Sequence, residues 1–143
     1  MQGACLCASV KFTLSYSPTT FYRCHCSLCR RQTGTESNYA TLVHYRDFNW
    51  SAGEASIHSW KKVSGYRNDF CQHCGSTVPN PLAQVPYFWV PLGLLEGVEQ
   101  YQCVADFCVE PSASSPCPPA IHSYSTPVQS LEQLLRVLQL AES

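Results

Sequence analysis

The sequence predicts a mainly β protein with one short C-terminal α-helix, organised around two thiolate metal sites. Three observations lead there. Apolar residues recur at period two in short runs broken by Gly and Pro, only the last stretch has helical periodicity, and seven of the ten cysteines stand in three tight clusters.

Taken in order, Val10, Phe12, Leu14 and Tyr16 alternate with Lys11, Thr13 and Ser15, the pattern of a half-buried strand, and Pro18 ends it. Stretches 39–45, 55–61, 66–70, 87–95 and 101–109 are rich in aromatic or β-branched residues and read as further strands. Gly53, Gly65, Gly75 and Gly97 punctuate the intervals. Residues 110–119 are dense in Ser and Pro and read as an irregular connection. The helix is expected over 127–141: Thr126 is placed to cap the amide of Gln129, Pro127 fits the first turn, and Val128, Leu131, Leu134, Leu135, Val137 and Leu138 form an apolar stripe. That stripe would pack on the β core or join two copies of the chain in a homo-oligomer.

At 143 residues the chain reads as one domain, small enough for a structural metal to help hold it. Only 13% of residues are charged and the formal net charge is -1; seven thiolates and two zinc ions would move it to about -4. That balance disfavours a nucleic-acid partner. The longest apolar stretch, 87–95, is well short of the roughly 20 residues of a bilayer-spanning helix. The start, Met1-Gln2-Gly3-Ala4-Cys5, shows no basic segment leading into an apolar run, so no secretory signal is expected. Free thiols point to a reducing compartment, with the cytoplasm expected.

The cysteine clusters are Cys5-Leu6-Cys7, Cys24-His25-Cys26-Ser27-Leu28-Cys29 and Cys71-Gln72-His73-Cys74. A disulfide framework is the competing explanation, but a Cys-x-Cys pairing closes a strained ring, whereas thiols two or three residues apart on a turn suit a metal. A structural zinc takes four thiolates, and a catalytic zinc takes three protein ligands and keeps a position open. Cys5, Cys7, Cys71 and Cys74 therefore make a closed structural site, and Cys24, Cys26 and Cys29 an open, catalytic one. Thiolates would also admit copper(I) or an iron–sulfur cluster, but two zinc ions per chain need no further assumption. The three-cysteine site could still be completed by His25, His44, His58, His73, Cys103, Cys108 or Cys117. Cys103 and Cys108 read most simply as small core residues on opposite faces of a strand.

These motifs carry a resemblance. Gly3-Ala4-Cys5-Leu6-Cys7, Val10-Lys11-Phe12, the run Cys24-His25-Cys26-Ser27-Leu28-Cys29-Arg30-Arg31 with Gly34, and Phe70-Cys71-Gln72-His73-Cys74-Gly75-Ser76 resemble the glutathione-dependent formaldehyde-activating enzyme family, which includes the centromere protein V domain. The likeness spans 3–95, where Pro91-Leu92-Gly93-Leu94-Leu95-Glu96 resembles a "Gly-x-Leu-Asp" stretch. It implies a zinc-bound β-tent fold with the same division of ligands. The implied reaction joins formaldehyde to the thiol of glutathione to give S-hydroxymethylglutathione, the reverse of a carbon–sulfur lyase step. Arg30 and Arg31 could clamp a glutathione carboxylate.

Two departures stand out. Ala8 replaces the usual Gly after the second cysteine, and Ala113-Ser114-Ser115-Pro116-Cys117 replaces "Ser-Lys-Ala-Pro-Trp", losing its aromatic residue. Two functions follow: a zinc-dependent lyase or transferase acting on a small thiol and an aldehyde, or a zinc-stabilised protein-binding module without catalytic activity.

Overall fold

The computed structural model describes residues 1–97, 100–110 and 120–140. The protein is mainly β. In chain order the elements are β1 (Gln2–Ala4), β2 (Lys11–Leu14), β3 (Thr20–Cys24), α1 (Ser27–Thr33), β4 (Asn38–His44), β5 (Phe48–Ala52), β6 (Ile57–Lys61), β7 (Arg67–Cys71), β8 (Asn80–Pro81), β9 (Tyr87–Pro91), β10 (Gln102–Phe107), β11 (His122–Ser123) and α2 (Leu131–Val137). They fall into two compact units, one of residues 1–17 and 42–99, the other of 18–41 and 100–143.

In the first unit β1, β2 and β5 form an antiparallel sheet, β6 pairs with β7, and β8 pairs with β9. Phe12 faces Trp50 and Leu14 faces Phe48 across the β2–β5 register. Their inward side chains meet Val43, Val90 and Phe88 in one core, with Phe48 stacked on Phe12 at 5.3 Å and on Phe88 at 3.9 Å. Full burial of a side chain such as Phe12 contributes about 1.5–3 kcal/mol. A second, smaller core of Cys5, Val10, Cys71 and Val78 packs with Trp50 and Ile57 around the first cysteine cluster. Gly53 fixes this corner. Its φ is +76°, and a Cβ there would lie 1.9 Å from the Ser9 carbonyl oxygen, so only glycine lets the 7–10 turn approach.

In the second unit β10 lies between β11 and β3, parallel to both, and β3 pairs antiparallel with β4. Tyr22 meets Phe107 edge to face, and Tyr124 stacks on Phe107 at 5.0 Å. Leu134, Leu135, Val137 and Leu138 are buried within the chain, and Thr20 donates its hydroxyl to the Leu138 carbonyl at 2.7 Å.

All six expected strands are present, mostly trimmed. The strand expected over 87–95 stops at Pro91, and residues 92–94 make a single 3-10 turn closed by Leu95 N–H on Leu92 O; Pro91 has no N–H to extend the ladder. The helix expected over 127–141 is shorter. It starts about one turn later than Thr126 would dictate, because Ser130 Oγ accepts the Gln133 amide at 3.1 Å. Gln133 Oε1 in turn takes the Gln129 amide at 2.7 Å, so the cap is built on Ser130-x-x-Gln133. Residues 111–119 and 141–143 lie outside the described residues, and with them the expected irregular connection, Cys117 and the altered 113–117 segment. Among the described residues no helix is long and apolar enough to cross a membrane.

Candidate metal centres

The first cluster belongs to the first unit and is assembled by two turns. Cys5 N–H donates to Val10 O, Ala8 N–H donates to Cys5 O, and Val10 N–H donates to Cys5 Sγ at 3.3 Å, which curls 5–10 around its own sulfur. Ala8 takes φ +63°, the left-handed region that explains why glycine is usual at that position. The second turn follows β7. Gly75 N–H donates to Cys71 O at 2.8 Å with Gly75 at φ +77° and open space where a Cβ would stand, so conformation alone calls for glycine there. Leu6 N–H donates to Ser76 Oγ at 2.9 Å and ties the turns together.

The outcome is four sulfurs, from Cys5, Cys7, Cys71 and Cys74, within 4.8 Å of one another. Cys7 Sγ stands 3.7 Å from Cys5 Sγ and 3.8 Å from Cys71 Sγ. Hydrogen bonds from Ser76 hold Cys74 down at about 5, and Ser9 holds Cys7 below the usual thiol value. Burial pushes Cys71 up. Two readily ionised thiols beside a buried one suit a cation, whose charge removes the remaining proton.

The second cluster belongs to the second unit, where β3 runs into α1. Cys26 is the N-cap of α1, with ψ 159°, and its sulfur accepts the Cys29 amide at 3.3 Å. That places Cys29 three residues on, at a buried position, while Cys24 at the end of β3 and Cys26 remain half-exposed. The three sulfurs lie within 4.8 Å of one another. Cys24 is held down at about 6, chiefly by its hydrogen bond with Cys29, and Cys29 is raised by the same bond and by burial. A thiolate sharing protons with two neighbouring thiols, at a helix N-terminus, is a donor set that fits a zinc ion.

A buried ionic group supports this loop. Arg23 makes a two-pronged pair with Asp106, Nε to Oδ1 at 2.6 Å and Nη2 to Oδ2 at 2.7 Å, with side chains only 3% and 8% exposed. His25 Nε2 lies 2.8 Å from the same Asp106 Oδ1, and His25 N–H donates to Phe107 O at 2.9 Å. The residues that flank Cys24 are thus fastened to β10 on both sides. Sequence reasoning missed this group, since nothing links Arg23 to a carboxylate 83 positions away.

Four of the other candidates for a fourth ligand, His44, His58, His73 and Cys103, are engaged elsewhere. In the first unit His44 accepts the Arg46 amide, His58 bonds Gln72 Oε1, and His73 bonds Ser56 Oγ. In the second unit Cys103 points its thiol at Ala105 O. Cys108 departs from the expected core position: it is half-exposed, lies one residue past β10, and its thiol is pushed up by burial and by the neighbouring Cys24. Arg30 and Arg31 are exposed in the last turn of α1, where their charge also suits the helix C-terminus. All nine described cysteines are free thiols.

Fold and sites together define a mainly β protein with two separate thiol clusters able to hold metal. Residues 1–110 match the family described as glutathione-dependent formaldehyde-activating enzyme, and the chain belongs to that family. Among solved structures it is similar to a crystal structure of a Rhodobacter sphaeroides protein from a structural-genomics programme, with a TM-score of 0.57 and 23% identity over 73% of this chain and 100% of that one. No curated protein matches the chain.

Proposed function

We propose that the chain is a single-domain, zinc-dependent carbon–sulfur lyase that joins formaldehyde, or a related aldehyde, to glutathione or another small thiol and also runs the reverse reaction. The observation that carries the proposal is the second cluster: three sulfurs within 4.8 Å of one another, two of them half-exposed, in a chain whose other four-sulfur cluster can serve the fold. A family-level role in glutathione-dependent formaldehyde activation supports the substrate class.

In this reading Cys5, Cys7, Cys71 and Cys74 hold a structural zinc, and Cys24, Cys26 and Cys29 hold a catalytic one. Bound there, zinc would keep an incoming thiol ionised near neutral pH. The protein's own groups do the rest. The Cys26 cap and the Arg23–Asp106–His25 group fix the loop that presents the three sulfurs. Arg30 and Arg31 follow on the next turn and bind a glutathione carboxylate. In the forward reaction the thiol sulfur forms a bond to the aldehyde carbon, the carbonyl π pair moves to oxygen, and the proton lost by the thiol ends on that oxygen. The proposal places the enzyme in a reducing compartment such as the cytoplasm, where nine free thiols persist.

Cobalt substitution followed by glutathione titration tests it. Thiolate binding to cobalt(II) adds sulfur-to-metal charge-transfer absorption, so glutathione should change the spectrum of the parent but not of Cys24→Ser. Product formation from glutathione and formaldehyde must also exceed the spontaneous rate. A spectrum unmoved by millimolar glutathione would refute the open site and leave the zinc-stabilised binding module as the better account.

A further inference from the structure

We propose that Cys24 and Cys108 are a peroxide-sensitive pair that forms a reversible disulfide and thereby takes the three-cysteine cluster apart. The inference rests on geometry in the second unit and does not depend on the reaction proposed above.

The two thiols are close enough to act on each other, Cys24 helping to push the Cys108 thiol up. Their backbones are suitably placed: β3 and β10 are parallel and Cys24 is registered opposite Phe107, so Cys108 is offset by one residue on the neighbouring strand. A strand spacing of about 4.8 Å and a rise of about 3.3 Å put the two Cα atoms roughly 6 Å apart, inside the range of about 4.4–6.8 Å that a disulfide spans. Strict alternation would send the Cys108 side chain to the face opposite Phe107 and Cys24. Cys108 is released from that alternation, because it takes φ +59°, a left-handed conformation that residues other than Gly, Asn and Asp seldom adopt. The backbone around it is held by Cys108 N–H on Thr126 O at 3.2 Å and Val109 N–H on Tyr124 O at 3.1 Å.

Cys108 is not a fourth member of the cluster, since the sulfurs mutually within 4.8 Å there are those of Cys24, Cys26 and Cys29. It is a neighbour of Cys24. Both residues are half-exposed, so a small oxidant reaches them.

The chemistry balances with hydrogen peroxide as oxidant. Cys24 sulfur displaces one peroxide oxygen as water and becomes the sulfenic acid; Cys108 sulfur then attacks it, the S–S bond forms and the second water leaves. Two thiols have lost two protons and two electrons, and one peroxide has become two waters. Two molecules of a thiol such as glutathione reverse the change and leave as their own disulfide. While the bond stands, Cys24 offers no thiolate, and Cys26 and Cys29 alone remain to hold a metal.

The test uses the protein as purified with its metal. After brief peroxide treatment, free thiols are alkylated, the chain is digested and the linked peptides are sequenced by mass spectrometry, with released zinc followed by a chromogenic chelator. The expected result is a Cys24–Cys108 link as the main product, loss of half the bound zinc, and recovery of both thiols with glutathione. Cys103→Ser should behave like the parent. Cys108→Ser should yield no such link and should instead accumulate sulfinic acid at Cys24 that glutathione does not reverse. If that variant fails to fold by circular dichroism, Cys108→Asn suits the left-handed backbone and replaces it. Links confined to Cys24, Cys26 and Cys29 in the parent, or full recovery of Cys108→Ser by glutathione, would overturn the proposal.

Discussion

Replacing Asp106 by Asn isolates what the buried ionic group contributes to the second unit. The carboxylate accepts both prongs of Arg23 at 2.6 and 2.7 Å and also faces His25 at 2.8 Å, and neither Arg23 nor Asp106 has more than 8% of its side chain exposed. Asn keeps the shape but leaves a guanidinium charge buried without a counter-ion. Breaking a buried pair in this way costs about 3–5 kcal/mol, which for a chain of this length lowers the melting temperature by roughly 10 °C or more. Urea unfolding followed by far-UV circular dichroism measures it. The double change Arg23→Met with Asp106→Leu removes both charges and should lie nearer the parent than Asp106→Asn alone.

The same group sets a pH dependence. Burial by itself would raise the Asp106 carboxyl, but hydrogen bonds from Arg23 and His25 outweigh it and hold the group below its ordinary value. A depressed folded value means that the contribution is complete above the unfolded value of about 4 and is lost as pH falls through the lower, folded one. The gap between the parent and Asp106→Asn should therefore be widest at neutral pH and shrink below about pH 4. A loss under about 1 kcal/mol at pH 7, or a gap that does not change with pH, would refute the reasoning.

Three further outcomes are expected. Mild chelation should strip one zinc before the other, because four sulfurs hold the first and three the second; native mass spectrometry showing both lost together would contradict this. Cys71→Ser, which alters a fully buried sulfur inside the Cys5–Val10–Val78 core, should abolish a cooperative thermal transition, whereas Cys26→Ser should melt much closer to the parent; the opposite order in calorimetry would mean that the structural and catalytic roles are exchanged. Ala8→Gly should stabilise the chain by about 0.5–1 kcal/mol, since relief of a left-handed alanine exceeds the entropy that glycine adds to the unfolded state; a decrease in denaturation midpoint would count against it.

The sequence by itself determined the strand class, the cysteine clusters and the partition of seven thiols into four and three. Those are local signals: period-two alternation, turn glycines and Cys-x-Cys or Cys-x2-Cys spacing act within a few residues, and metal-ligand counting needs no coordinates. Tertiary structure alone decided the rest. β3 was overlooked because Arg23 spoils its apolar pattern, and the charge becomes tolerable in a buried strand only once β10 delivers Asp106. Cys108, read as a core residue from alternation, ends beside Cys24 because its left-handed backbone breaks the very periodicity on which that reading relied. The start of α2 lies at Ser130 because two cap sequences follow one another, and the one that engages Gln133 coincides with burial of Leu134, Leu135, Val137 and Leu138. Pairings between residues more than eighty positions apart depend on which strands become neighbours, and no local pattern encodes that choice.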